Sequence, residues 1–131
     1  MLVVDASCLY EVVADTASAE VVRRRLALDQ DHAAPELVDA EVLSVIRRDL
    51  SLARLDPTAA HQAVEDLRAW PGERFGHRSL LGRAWELRDR VRTWDGLYVA
   101  LAEALGATFI TRNGRLGRVG GLDCPIEVLI K

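Results

Sequence analysis

The segment "RTWDGLYVALAEALGATFITRNGRL", residues 92–116, holds the densest set of structural signals in the chain. Asp95 precedes the apolar run GLYVALAEAL, which has helical character, and Gly106 stands where a glycine commonly follows the last turn of a helix. The run ATFIT then predicts a strand, and the pair Asn113-Gly114 predicts a turn after it. The segment therefore predicts a helix, a strand and a turn, with a carboxylate at the helix start and an amide after the strand.

The same alternation of strands and helices extends along the rest of the chain. LVVD, at residues 2–5, is a short apolar run that predicts a strand buried on both faces. Helices are predicted over residues 7–14 and 18–27, and an extended segment near Ala33 and Ala34. The later predicted helices are VDAEVLSVIRRDLSLARL, a segment that begins at Asp56-Pro57, and HRSLLGRAWELRDRV, and the later predicted strands are ERF and PIEVLI. This order predicts an α/β fold in one domain, residues 1–131, with a mostly parallel central sheet flanked by helices.

Composition narrows the class of protein. Half of the 131 residues are hydrophobic and 28% are charged, which is typical of a globular domain. No apolar run approaches the roughly 20 residues that cross a bilayer, so we expect a cytoplasmic protein with no membrane partner. Lys131 is the only lysine among 17 basic residues, and the rest are arginines, whose planar guanidinium suits phosphates and carboxylates. Solvated helix faces explain that bias equally well. Cys8 and Cys124 form no paired motif and are expected to be buried thiols.

Several acidic and amide side chains follow predicted strands or begin predicted helices. In open parallel sheets, ligands bind beyond the carboxyl ends of the strands, where these side chains are expected to converge. They are Asp5, Asp39, Glu41, Asp95 and Asn113. Clustered carboxylates repel one another without a cation, and oxygen ligands favour Mg²⁺ or Mn²⁺, which suits phosphoester hydrolysis. Asp39 and Asp95 have an alternative interpretation as helix N-caps.

Three segments together resemble a PIN domain and, more narrowly, VapC, the ribonuclease toxin of VapBC toxin–antitoxin pairs. They are LVVDAS, APELVDAEVLSVIRR and WDGLYVALAEALGATFITRNGRL, and the resemblance covers essentially the whole chain in the right order. It implies a type II toxin: an endoribonuclease dependent on Mg²⁺ or Mn²⁺ that hydrolyses RNA and is inhibited by a cognate VapB-type antitoxin. A homodimer is also implied.

The resemblance assigns roles residue by residue. It implies that Asp5, Glu41 and Asp95 are the acidic metal ligands of the catalytic site. Ser7 and Thr111 match hydroxyl positions at that site.

Asn113 falls on the family's fourth acidic position, where an amide oxygen coordinates without adding charge. This departure leaves an alternative open: a PIN-fold protein that binds its antitoxin but has weak or lost nuclease activity. Arg112 and Arg115 flank the site and are candidates for phosphate contacts, although solvated surface residues are an equal interpretation. Asp39 matches a variable family position and remains a predicted N-cap.

Other enzyme classes fit less well. A phosphoryl-accepting receiver domain needs paired acids after its first strand and a lysine after a late strand, whereas this chain has Asp5 alone and Lys131 at its end. A phosphatase with a D-x-D motif also fits less well, because Asp5 is followed by Ala6-Ser7. The three tryptophans and Tyr98 are expected in the core or at an interface rather than stacked on bases.

Overall fold

The computed structural model describes residues 1–130, and Lys131, the last residue of the predicted domain, lies outside the described part. The strands are β1 (Leu2–Val4), β2 (His32–Pro35), β3 (Glu73–Phe75), β4 (Thr108–Thr111) and β5 (Ile126–Val128). The helices are α1 (Ala6–Val13), α2 (Ala19–Ala27), α3 (Leu37–Ser51), α4 (Pro57–Ala69), α5 (Leu81–Glu86) and α6 (Thr93–Leu105). Within residues 1–130, none of the helices combines the length and hydrophobicity that a bilayer crossing requires.

The five strands form one sheet in the order β3-β2-β1-β4-β5. Every neighbouring pair is parallel, which confirms the predicted α/β class. The chain adds strands on one side of β1 as far as β3 and then crosses to the other side to form β4. This reversal places a crevice at the carboxyl ends of β1 and β4, the usual position of a ligand site in such sheets.

Helix α6 packs against the sheet through its middle and fixes the position of the predicted site. Its side chains from Leu97 to Ala102 are all buried, and the Tyr98 ring stacks on Phe109 of β4 with 5.5 Å between ring centroids. Gly106 ends the helix in the left-handed conformation at φ 63°, as the sequence predicts. The buried middle of α6 thus fixes the position of its first turn, which carries Asp95.

Two predicted helices are too long. The helix predicted over residues 77–91 consists of a single 3₁₀ turn, Arg78–Leu80, and the short α5, because the chain must then reverse to let α6 pack against α5. Helical spacing alone does not reveal that turn. Helix α3 ends at Ser51 rather than Leu55, because Ala53 adopts a left-handed φ of 57°.

Arg74 anchors the edge strand β3 to the two helices that precede it. Its guanidinium donates to the carbonyl oxygens of Leu67 (2.8 Å), Trp70 (2.6 Å) and Gly72 (3.1 Å). It also donates to the carboxylate of Asp39 at 2.9 Å. The prediction that Asp39 caps α3 is therefore wrong: Asp39 lies within the first turn and pairs with Arg74 across the structure instead.

We expect Arg74→Lys to lower the free energy of unfolding by about 2 kcal/mol. The reason is that a lysine ammonium cannot donate to all three carbonyl oxygens and the Asp39 carboxylate at once, as the planar guanidinium does. Chemical denaturation measures the change. Arg68→Lys is the matched control, since Arg68 is 74% exposed and lies 3.9 Å from its nearest acidic partner. Equal stability of the two variants would contradict the anchoring role.

Candidate active site

A cavity of about 730 Å³ opens at the carboxyl ends of β1 and β4. Its lining includes seven of the eight residues that the family resemblance places at the site: Asp5, Ser7, Glu41, Asp95, Arg112, Asn113 and Arg115. The eighth, Thr111, is fully buried directly beneath them. Asp39, which the sequence also predicts to converge here, does not line the cavity and pairs with Arg74 instead. The strand order thus brings together side chains that are as much as 110 positions apart in the sequence.

Asp5 is held by two hydroxyl groups. It follows β1 at the N-cap position of α1, yet its side chain makes no capping bond. The hydroxyls of Thr111 and Ser7 both donate to Oδ2, the second at 3.0 Å, whereas no side chain in residues 1–130 donates to Oδ1. Backbone amides after β4 fix both hydroxyls: Asn113 N donates to Thr111 Oγ1 (3.0 Å) and Arg112 N to Ser7 Oγ (3.1 Å). Oδ2 of Asp5 is therefore held by two hydroxyl groups, and Oδ1 has no side-chain donor.

Glu41, in the second turn of α3, is held by Tyr98. The Tyr98 hydroxyl donates to Glu41 Oε1 at 2.7 Å. Burial raises the pKa of Tyr98, so its hydroxyl stays protonated and remains a donor. The sequence predicts that Tyr98 lies in the core or at an interface, and the structure shows that it is buried in the core. Its bond to Glu41 carries no sequence signal, because the two residues are 57 positions apart.

Asp95 is the third residue of α6, and Arg92 occupies the N-cap position. The interpretation of Asp95 as a cap is therefore wrong. Its side chain is 18% exposed, with Oδ2 lying 3.7 Å from Arg92 Nε. Burial raises the pKa of Asp95, and the positive charges of Arg92 and Arg115 oppose the rise. Asp95 thus presents a carboxylate to the cavity rather than to its own helix.

The three carboxylates are in an environment that opposes their ionisation. Burial raises the pKa of Asp5, hydrogen bonds such as that from Thr111 act against it, and the charge of Asp95 raises it further. Burial likewise raises the pKa of Glu41; the Tyr98 hydrogen bond opposes this, and the charges of Asp5 and Asp95 add to it. A cation in the cavity would remove this penalty.

The donors at the cavity suit a hard divalent cation, because they are carboxylate, hydroxyl and amide oxygens. Within residues 1–130, however, no group of three or more acidic, histidine or cysteine side chains is arranged to hold a metal ion. Glu41 is drawn toward Tyr98. The oxygen ligands therefore suit a divalent cation, but the positions of the three carboxylates allow fewer than three of them to coordinate it directly.

Asn113 uses its only side-chain acceptor within its own turn. Its Oδ1 accepts a hydrogen bond from the backbone N of Arg115 at 3.1 Å. An aspartate at this position would have a second oxygen to turn toward the cavity. The amide oxygen therefore stabilises the turn after β4, keeps one lone pair, and brings no charge to the cavity.

The two predicted phosphate-binding arginines differ in their surroundings. The guanidinium of Arg112 donates to Leu129 O (3.1 Å) and Ser18 Oγ (3.3 Å) and lies 3.7 Å from Glu11. These contacts tie the end of β4 to the α1–α2 loop and to the residue after β5. Arg115 is exposed on the rim of the cavity. The exposed Arg115 is available to bind a ligand, whereas the guanidinium of Arg112 already binds groups within the protein.

Comparison with known proteins supports one family. A family model described as "PIN domain" matches residues 2–122. Ribonuclease VapC3 of Mycobacterium tuberculosis is 42% identical over 118 residues, covering 89% of this chain and 85% of the relative. Among solved structures, M. tuberculosis VapC20, a sarcin-ricin loop cleaving toxin, matches with a TM-score of 0.71 at 17% identity, covering 94% and 98% of the two chains. VapBC2 of Rickettsia felis, solved with a promoter DNA fragment, matches with a TM-score of 0.67 at 17% identity over 97% of each chain.

Replacing Asp5 by asparagine is expected to stabilise the protein in the presence of a chelator, by about 1–2 kcal/mol at neutral pH. The raised pKa sets the sign of the pH dependence. Above the raised pKa of Asp5, the native state carries the full penalty of a buried charge. As pH falls toward the ordinary pKa of 3.8, Asp5 takes up its proton in the native state before it does in the unfolded state, so the penalty decreases. The advantage of Asp5→Asn should therefore shrink as pH is lowered.

Thermal unfolding of both proteins across that pH range measures this difference. A less stable Asp5→Asn protein at neutral pH, or an advantage that grows toward low pH, would contradict the electrostatic description.

Proposed function

The chain belongs to the PIN-domain family and, within it, to the VapC ribonucleases, and on that premise we propose that it is the toxin of a type II VapBC system. Its activity is the metal-dependent endonucleolytic hydrolysis of RNA phosphodiester bonds. The observation that carries the proposal is the convergence of Asp5, Glu41 and Asp95 on one cavity at the point where the strand order reverses.

Asp5 and Asp95 are the proposed direct ligands of Mg²⁺ or Mn²⁺, and Glu41, which Tyr98 holds, completes the site through water. When bound, the cation supplies Lewis acidity: it lowers the pKa of water and offsets the charge that develops on the phosphate. The raised pKa values of all three carboxyl groups are consistent with a site whose charge a cation balances. Mg²⁺ and Mn²⁺ share this oxygen chemistry, and both belong to the proposal.

The remaining side chains orient these acids and contact the substrate. Thr111 and Ser7 hold Oδ2 of Asp5, which limits rotation of that carboxylate, and Tyr98 does the same for Glu41. Arg115, on the rim, is the proposed contact to a phosphate of the RNA, where its planar fork binds two oxygens at once. Arg112 acts instead by holding the turn that positions Ser7 and Thr111.

The proposed partners follow from the same family assignment. The likeness to R. felis VapBC2 supports a VapB-type antitoxin, and a second copy of this chain is the other proposed partner. Trp85 and Trp94 are 68% and 56% exposed and offer apolar surface for such contacts. The cytoplasm, which contains both RNA and antitoxin, is the proposed location.

The position of Asn113 favours a second candidate function. Asn113 brings no charge to the site, and its one acceptor oxygen already accepts a hydrogen bond from the backbone N of Arg115, which leaves a single lone pair for a ligand. A PIN-fold protein that binds its antitoxin but cleaves RNA weakly or not at all is therefore the alternative.

The nuclease function predicts that purified protein, freed of any antitoxin, cleaves RNA in the presence of Mn²⁺ and that this cleavage stops when a chelator is added. Asp95→Asn should lower the rate by at least about 100-fold, because loss of a ligand costs no less than loss of a supporting contact. Asp89→Asn, which removes an exposed acid outside the cavity, is the control. Equal rates for these two variants would contradict the assignment of the site.

Asn113→Asp is expected to raise the cleavage rate about tenfold at limiting Mn²⁺. One oxygen of the aspartate keeps the turn bond to Arg115 N, and the other adds a charged acceptor to the cavity. Initial rates across a Mn²⁺ titration measure the effect. An inactive wild-type protein with an active Asn113→Asp variant would establish the alternative function, whereas identical titration curves would show that the amide is not limiting.

A further inference from the structure

The cavity has a second polar end, away from the metal-binding acids. Tyr10 of α1 and Arg48 and Asp49 of α3 line this end. Helices α1 and α3 pack against each other and form its walls. Glu41 and Arg48, which both line the cavity, are two helical turns apart on α3, a rise of about 10 Å. A ligand that extends along α3 from the acidic end therefore reaches Arg48.

Asp49 is a buried acid with no part in the proposed mechanism. Only 7% of its surface is exposed. The Tyr10 hydroxyl donates to Oδ2, while Oδ1 accepts from Arg48 Nε at 3.3 Å and lies 3.6 Å from Arg54 Nη1. The Tyr10 hydrogen bond and the neighbouring Arg48 hold the pKa of Asp49 below its ordinary value, so it is ionised at neutral pH. One carboxylate is thus matched by two guanidinium groups, and the cluster is positive overall.

Arg48 is oriented but not saturated. Its Nε is bound to Asp49, whereas neither terminal nitrogen has a hydrogen-bond partner within residues 1–130. The side chain is 60% exposed. The free terminal nitrogens are the groups with which arginine contacts phosphate oxygens. Because Asp49 already restrains the side chain, binding a ligand costs less conformational entropy than it would for a free arginine.

We propose that Arg48, oriented by Asp49, is a phosphate-binding residue that holds the RNA strand at a phosphate adjacent to the one being cleaved. The proposal rests on the ribonuclease function proposed above and extends it to a substrate subsite. In it, Asp49 is a positioning residue that acts through Arg48.

RNA is the occupant that the charges favour. At one end, three carboxylates flanked by Arg92 and Arg115 line the site of the proposed cation; at the other end, Arg48 lines the cavity beside Asp49 with its terminal nitrogens free. A strand with regularly spaced phosphates places one phosphate at the cation bound by the acids and the next at the arginine. An acidic peptide along the same path would bring carboxylates against Asp5, Glu41 and Asp95.

The test is steady-state cleavage of a short, labelled, single-stranded RNA that the wild-type protein cuts. Arg48→Ala should raise KM about tenfold and change kcat by less than about twofold, because a charged hydrogen bond is lost away from the reacting phosphate. The slope of log KM against log salt should fall by about one. Arg48→Lys, which keeps the charge without the fork, should have an intermediate KM.

Arg47→Ala is the matched control. Arg47 is the preceding arginine on the same helix and is exposed, but it lines a separate apolar depression with Leu43 and Ile46. Its KM should stay within about twofold of wild type.

Asp49→Asn tests the positioning role. It should raise KM about threefold with kcat unchanged, and adding it to Arg48→Ala should cause no further rise, because Asp49 acts through Arg48. An additive effect of the two substitutions, or a fall in kcat with Asp49→Asn, would overturn this role.

The two proposals fail in different ways. If the wild-type protein cleaves RNA and Arg48→Ala matches Arg47→Ala, the subsite is wrong and the nuclease function stands. If the wild-type protein cleaves no RNA, the nuclease function is wrong; fluorescence anisotropy of a short, labelled, single-stranded RNA with the wild-type protein and with Arg48→Ala then decides the subsite. A normal KM with weakened antitoxin inhibition in Arg48→Ala would assign Arg48 to the protein partner and overturn the RNA subsite.

Discussion

The hydrogen bond from Thr111 to the carboxylate of Asp5 joins β4 to β1 at the point where the strand order reverses. Both residues are buried, so the hydroxyl compensates a carboxylate that has lost most of its hydration. The bond requires parallel pairing of β1 and β4 in the observed register, in which Val4 lies beside Ile110. A shift of one residue would turn Thr111 to the other face of the sheet and leave Asp5 without this donor.

The same constraint accounts for the structure around the site. The turn after β4 supplies the amides of Arg112 and Asn113, which fix the hydroxyls that hold Asp5. Helix α6, in which residues 96–102 are all buried, carries both Asp95, at the cavity, and Tyr98, which holds Glu41. These contacts orient the carboxylates but do not neutralise them. The protein thus retains one buried and two half-buried carboxyl groups with raised pKa values, as expected of a site organised for a charged ligand.

The sequence predicts the fold class and most of the site, because both depend on local patterns. The carboxyl ends of parallel strands lie at the same edge of the sheet, so an acid after β1 and an acid at the start of α6, the helix that leads back to β4, converge whatever their separation in the chain. Contacts set by tertiary packing carry no such signal. Neither the pairing of Asp39 with Arg74 nor the bond between Tyr98 and Glu41 follows from spacing, and both join distant residues. Asp49 lies in an ordinary helical sequence, and only the packing of α1 on α3 reveals that Tyr10 and Arg48 bind it.

The central claim is that Asp5 belongs to a cation site and is not simply a buried structural acid. Calorimetric titration of antitoxin-free protein with Mn²⁺ tests it directly, by comparison of wild type, Asp5→Asn and the exposed control Asp66→Asn. Wild type and Asp66→Asn should bind Mn²⁺ alike, and Asp5→Asn should bind at least about tenfold more weakly, as expected for loss of a ligand. Equal Mn²⁺ affinity in all three proteins would show that Asp5 holds no cation and would contradict this account.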